Sequence, residues 1–247
     1  MSGTPPPVCA VVLAQGDHAR LARALAAVAW AAERVVLDPA ERMADADLPA
    51  GVGRCVDPAA IASVARSAWV LLLCENEVPS PAFVAAVVAA VDDVPVAWAV
   101  RRDLHGLGVQ LAMRGAPVRL APRQGVRVSL RIGLQLVLEL PAPLLVQRIG
   151  APLVVDYVPT LDEAVRTLDA ESTTFAALLE RIGRRPRLRG LLVNPWVAAG
   201  CVLAGRAATR VGLGRWILAV LLGYRVVVAH AKLWERGRDR VLAAEAA

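Results

Sequence analysis

The first ninety residues alternate short apolar runs with polar turns, and each run stops at a carboxylate. Val8 to Ala14 (VCAVVLA) leads into Gln15-Gly16-Asp17, Arg34 to Leu37 (RVVL) into Asp38-Pro39, and Trp69 to Leu73 (WVLLL) into Cys74-Glu75-Asn76-Glu77. Short apolar runs bounded by turn residues predict buried strands of a parallel sheet. Helical patterns lie between them. Leu21, Leu25 and Val28 share one face of His18 to Trp30, Asp57 is placed to cap an Ala-rich helix, and Pro79-Ser80-Pro81 opens a helix from about Ala82 to Val91. Strands alternating with helices predict an α/β fold with an open, mostly parallel sheet and flanking helices. Ligands of such sheets gather at the carboxyl ends of the strands. Gln15 to Asp17, Asp38 to Arg42 and Cys74 to Glu77 are therefore expected on one edge.

Beyond Val94 the pattern changes. Val96 to Val100 reads as a strand, followed by His105-Gly106-Leu107-Gly108, a basic stretch (Arg114, Arg119, Arg123, Arg127, Arg131) and an apolar stretch through Val146. Thr160 with Glu163 three residues on is a capping box that starts a long helix. Arg181 to Arg189 is a basic loop. Leu191 to Gly205 and Trp216 to Tyr224 are apolar, yet neither reaches the roughly 20 residues of a spanning helix. They read either as amphipathic helices at a membrane interface, with Trp196, Trp216 and Trp234 at the boundary, or as helices packed on the core. Ser2 to Pro7 and the tail after Gly237 read as loose ends.

Composition narrows the partners. The chain has 247 residues, 57% of them hydrophobic, and a formal charge of +6 carried almost entirely by arginine. Arginine suits diphosphate, anionic membrane and nucleic acid alike. Only 4% of residues are aromatic, however, and no nucleic-acid-binding motif stands out, which disfavours nucleic acid. Cys9, Cys55, Cys74 and Cys201 form no C-x-x-C pair, and the start lacks a basic region followed by an apolar core. The expectation is a reduced, cytoplasmic chain without a signal peptide. His18, His105 and His230 share no metal-like spacing, and Ser63, Ser67 and Ser80 lie in no nucleophile elbow.

Six landmarks follow one another between Val8 and Glu235: Gln15-Gly16-Asp17, Asp38-Pro39-Ala40-Glu41-Arg42, Trp69 to Glu77, Leu107-Gly108 through Arg119-Leu120, Pro152 to Glu163, and Lys232-Leu233-Trp234-Glu235. In this order the chain resembles family 2 glycosyltransferases of the lipopolysaccharide-core β-1,4-glucosyltransferase type. The resemblance implies a GT-A fold over residues 8–158, a helical C-terminal region over residues 159–240, and a nucleotide-diphosphate sugar as ligand. It also implies Mg²⁺ or Mn²⁺ on an Asp-x-Asp pair, because hard cations prefer oxygen ligands and neutralise the departing diphosphate.

The chemical positions depart from that pattern. The two aspartates read Cys74 and Asn76, the His-Glu pair expected after the arginine-rich segment falls on Arg131-Ile132-Gly133-Leu134, an expected histidine is Val155 beside Asp156, and a late Asp-Gly reads Val211-Gly212. Glu75 and Glu77 would point to the same side of an extended segment. They are the candidate ligands of a displaced metal site, with a solvated loop as the alternative. The resemblance assigns Gln15, Asp17, Asp38, Cys74, Glu75 and Asn76 to the nucleotide sugar. Asp156 or Glu41 would be the base for the acceptor hydroxyl. Arg119, Arg123 and Arg131 would bind phosphate or acceptor, or else form a solvated basic face. Two functions follow: a divergent transferase delivering a hexose to a lipopolysaccharide or other glycan or lipid-linked acceptor at the inner membrane face, or an inactive relative serving as a binding or scaffold module. A membrane-peripheral module working through its basic C-terminal third is a third reading.

Overall fold

The computed structural model describes residues 7–91, 96–113, 115–131, 134–141, 144–157, 160–204, 206–207 and 212–245. Arg114, Ile132, Gly133, Val211 and most of the loose N-terminus lie outside the described residues. The chain is a mixed α/β protein built on a ten-stranded sheet. Strands β1 (Val8–Leu13), β2 (Glu33–Leu37), β3 (Val52–Cys55) and β4 (Trp69–Cys74) form its parallel half, in the order β3-β2-β1-β4. The edge strand β3, with glycine and arginine at its centre, carries no apolar run and was not anticipated.

The other half is mixed rather than parallel. The short β5 (Glu77–Val78) pairs with a late strand, β6 (Ala97–Gly106) runs antiparallel to β7 (Val109–Ala112) and β8 (Val118–Pro122), and β8 runs antiparallel to β4. A separate hairpin, β9 (Arg127–Arg131) and β10 (Gln135–Glu139), is followed by β11 (Val146–Asp156), which returns parallel to β6. The two-residue β12 (Arg206–Ala207) closes the edge beside β7.

Both faces of β1 are buried, which explains why it reads as an unbroken apolar run rather than an alternation. Cys9, Val11 and Leu13 face one core and Val8, Ala10 and Val12 the other. The second core is covered by α1 (His18–Ala27) and α3 (Pro81–Val91) through Leu21, Leu25, Phe83 and Val87. Between these helices, Asp57 caps only a 3-10 turn that continues as the single-turn α2 (Ile61–Val64), shorter than its Ala-rich sequence predicts.

The first core is covered by the hairpin and by α4 (Leu161–Arg181) and α7 (Leu213–Glu245), with α5 (Leu188–Leu192) and α6 (Asn194–Leu203) packed beside them. Thr160 caps α4 as expected, accepting from the Glu163 amide at 3.3 Å. The Glu163 carboxylate does not complete the box; it accepts from Arg20 at 2.7 Å and ties α4 to α1.

The C-terminal sequence forms one 33-residue helix, and the tail after Gly237 belongs to it up to Glu245. Val226, Ala229 and Leu233 of α7 enter the same core as β1, while Leu218, Leu221 and Leu222 pack on Leu104 and Tyr157. By length and composition α7 could cross a bilayer, but 44% of its apolar stretch is buried inside the protein. Its inner face packs on the core. Leu72, fully buried in that shared core, offers a test. Leu72→Ala is expected to lower the unfolding free energy in urea by about 2–5 kcal/mol, and a loss below about 1 kcal/mol would contradict this packing.

Candidate ligand site at the carboxyl ends of the parallel strands

From β1 the sheet continues to β2 on one side and β4 on the other. That reversal of direction opens a crevice at the carboxyl ends, where α/β sheets bind ligands. Gln15 to Asp17 follow β1 and lead into α1, Asp38 follows β2, and Glu75-Asn76 form a turn after β4. The three loops converge as the strand order predicts.

The crevice is organised by Glu75. Its carboxylate accepts from the amides of Gln15 (2.5 Å), Gly16 (3.2 Å) and Asp17 (3.1 Å). Consecutive amides at a helix N-terminus make an anion-binding nest, and here a side chain of the protein occupies it. Gly16 is required, because its φ is +111° and a Cβ would fall 2.7 Å from Arg42 Nη1 and 2.9 Å from Ala170 Cβ. Burial outweighs the three amide hydrogen bonds and pushes the Glu75 carboxyl up to about 7.

The remaining predicted acids also serve the protein itself. Asp38, buried, accepts from the amides of Arg42 (3.2 Å) and Met43 (3.0 Å) and from Arg54 (2.9 Å). Asp17 caps α1 and pairs with Arg20 at 3.2 Å. Glu41, held at φ 55°, pairs with Arg181. Glu77 accepts from the Cys74 amide at 2.8 Å and from Arg119 at 2.7 Å. The Glu75-Asn76 turn replaces the extended segment expected from the sequence, and the two glutamates bind different partners instead of sharing a side. Glu75 and Glu77 therefore do not fit a divalent cation between them. Among the described residues, no group of three or more His, Cys, Asp or Glu side chains gathers to hold a metal. Cys74 is buried and burial pushes its thiol up to about 12, leaving it neutral and a poor partner for a hard cation. The crevice beside Asp17, Asp38, Arg42 and Glu75 encloses only about 40 Å³, far below the roughly 300–1,000 Å³ of a ligand pocket.

Asp156 differs from these. It ends β11, its amide donates to the Asn76 carbonyl at 2.7 Å, and its carboxylate is exposed, 3.8 Å from Arg23. The Asp156 backbone is thereby held beside the β4 turn, with its carboxylate exposed.

The predicted arginines separate. Arg119 is fully buried against Glu77, and Arg123 donates to the Ala65 carbonyl at 3.1 Å. Arg131 lines a groove of about 1,000 Å³ with Arg184, Arg185, Arg187, Asn194 and His230. Sequence reasoning missed the neighbours of the Arg119–Glu77 pair: Arg102 on β6, 4.0 Å from Glu77, and the buried pair Arg225–Glu171 (2.9 Å) linking α7 to α4. The available signal was a lone charge within an apolar string, as in Leu-Leu-Gly-Tyr-Arg225-Val-Val-Val, since a charge on a buried helix face needs a partner.

No protein-family model and no curated protein matches the chain.

The Glu75 nest sets a pH dependence. A carboxyl raised from 4.5 to about 7 by folding contributes stability that is complete below its unfolded value and is lost as the pH rises through 7. Glu75→Ala removes that dependence and leaves three amides without their acceptor. Urea unfolding should show wild type exceeding Glu75→Ala, by about 2 kcal/mol more at pH 5 than at pH 8. An equal difference at both pH values would contradict it.

Proposed function

We propose that this chain is a divergent GT-A-type glycosyltransferase of the family 2 kind. It binds a nucleotide-diphosphate sugar across the open carboxyl edge of the sheet, the 40 Å³ crevice between β1 and β4 taking only part of the ligand, and delivers the hexose to a glycan or lipid-linked acceptor at a membrane face. The observation that carries the reading is the convergence of three strand-end loops with Asp156. Glu75 draws the β4 turn onto the β1–α1 junction, and the Asn76 carbonyl holds the Asp156 amide. An exposed carboxylate beside a crevice of this kind is suited to take a proton from an acceptor hydroxyl. Arg131 and the arginines of the large groove suit a phosphorylated acceptor.

One observation favours a second reading, a binding module without turnover. Glu75, Glu77 and Asp38 already accept hydrogen bonds from the protein. The two readings separate when the full chain is titrated calorimetrically with nucleotide-diphosphate hexoses, in Mn²⁺ or in EDTA, and assayed for released nucleotide. The transferase predicts turnover that Asp156→Asn lowers about a hundredfold or more without weakening binding. Binding without turnover supports the module, and no binding under either condition removes both.

The membrane side of the proposal rests on Leu188, Leu192 and Trp196, exposed on α5 and α6 next to Arg184, Arg185 and Arg187. Apolar side chains flanked by arginines favour anionic bilayers, at about 1 kcal/mol per cation near the surface. Replacing the three arginines by glutamine should release the protein from anionic liposomes at moderate salt. Equal binding by both proteins, or none by wild type, would remove the membrane from the reading.

A further inference from the structure

Three guanidinium groups meet inside this protein, and two carboxylates, Glu77 and Glu171, are paired with them. Arg102 from β6, Arg119 from β8 and Arg225 from α7 line a cavity of about 50 Å³, together with Gln15, Asn76 and Tyr157. Arg119 spends Nη2 on Glu77 (2.7 Å) and Nη1 on the Leu72 carbonyl (3.3 Å), and Arg225 spends Nη1 on Glu171 (2.9 Å). Arg102 approaches Glu77 only at 4.0 Å. Its Nε and Nη2 are buried without a partner among the described residues, and so are Nε of Arg119 and Nε of Arg225.

The charges do not balance. Burial pushes the Cys74 thiol and the Tyr157 hydroxyl each up to about 12, so neither supplies a compensating anion. Arg119 and Arg225 thus hold the two carboxylates, Glu75 nearby gives its oxygens to the Gln15, Gly16 and Asp17 amides, and Arg102 is left without a carboxylate of its own. A buried, unpaired charge is among the costliest features a fold can carry. Water alone does not resolve it. A single water needs roughly 10–15 Å³ of such a cavity, so about 50 Å³ holds a few waters or one small oxyanion, and only the oxyanion brings charge. Arginine forks match phosphate oxygens in geometry as well as in sign.

The location gives the cavity a function. Gln15, Cys74 and Asn76 place it directly behind the carboxyl ends of β1 and β4. Leu134, buried and held at φ 59°, is the common wall between this cavity and the large arginine-lined groove. We infer that the cavity is a binding site for a phosphate-class oxyanion, and that Arg102 is the cation the ligand completes. The oxyanion belongs either to a nucleotide diphosphate or to free phosphate. The first source rests on the function proposed above; the site itself does not. In this arrangement arginine supplies the positive charge toward the phosphate, where Glu75 and Glu77 offer no shared metal site.

The test is calorimetry of the full chain in EDTA with inorganic phosphate, pyrophosphate and uridine diphosphate glucose, repeated on Arg102→Gln. This variant leaves the Glu77–Arg119 and Glu171–Arg225 pairs in place. Wild type is expected to bind phosphate or pyrophosphate saturably without metal, and Arg102→Gln to bind at least about tenfold more weakly, the loss of one charge-assisted contact. Melting curves give an independent readout. Phosphate should raise the Tm of wild type but not of Arg102→Gln, and without phosphate the variant should melt no lower than wild type, because it has lost an uncompensated charge.

Absence of saturable binding, unchanged affinity in Arg102→Gln, or a variant that melts lower without phosphate would each overturn the site. Pyrophosphate binding without uridine diphosphate glucose binding would keep the oxyanion site and count against the nucleotide-sugar reading. Uridine diphosphate glucose bound equally by both proteins would do the reverse.

Discussion

Three successive amides, at Gln15, Gly16 and Asp17, close on the carboxylate of Glu75, and the carboxyl edge of the sheet is arranged around that contact. It demands glycine at position 16, where any Cβ would collide with Arg42 and Ala170. It also demands a turn rather than a strand at Glu75-Asn76, and that turn presents the Asn76 carbonyl to Asp156. The ends of β1, β4 and β11 are thereby fixed to one another. Orphaning a buried amide costs about 1–3 kcal/mol, so the contact outweighs any exposed ion pair of the surface.

Behind this contact lies a layer of buried charge. Glu77 and Glu171 hold Arg119 and Arg225, and Arg102 stands beside them without a carboxylate of its own. Buried ion pairs rarely stabilise a fold relative to apolar side chains of the same volume. Their concentration beneath the strand ends therefore points to ligand recognition more than to stability. The acidic residues of the crevice serve as internal acceptors, and the unsatisfied groups lining the cavity behind it are four arginine nitrogens, of Arg102, Arg119 and Arg225, beside one acceptor, Gln15 Oε1. An anion is the ligand that this distribution favours.

Much of the parallel half was legible in the sequence because β1, β2 and β4 are apolar runs ended by polar turns, and the start of α4 was legible because Thr160 caps it by a local hydrogen bond. The edge strand β3 and the antiparallel strands were less so, since Val-Gly-Arg-Cys at 52–55 and the polar tip of β6 gain their structure from neighbours distant in the chain. The convergence of Gln15, Asp38 and Glu75 followed from strand order. The roles of their side chains did not. Whether Glu75 faces a metal or three amides depends on one turn, and whether Arg119 is solvated or buried depends on β6 and α7 folding over it. Residues paired across 42 to 54 positions, such as Glu77 with Arg119 and Glu171 with Arg225, leave no local periodicity to read.

The nature of the buried cationic cavity is the point on which the assignment of this edge as an anion site turns. Its most direct measurement is the anomalous scattering of crystals grown in EDTA and soaked in tungstate, a heavy oxyanion of phosphate shape. A peak enclosed by Arg102, Arg119 and Arg225 is the expected result. Peaks confined to the exposed arginines at 184, 185 and 187, with none in the cavity, would contradict it.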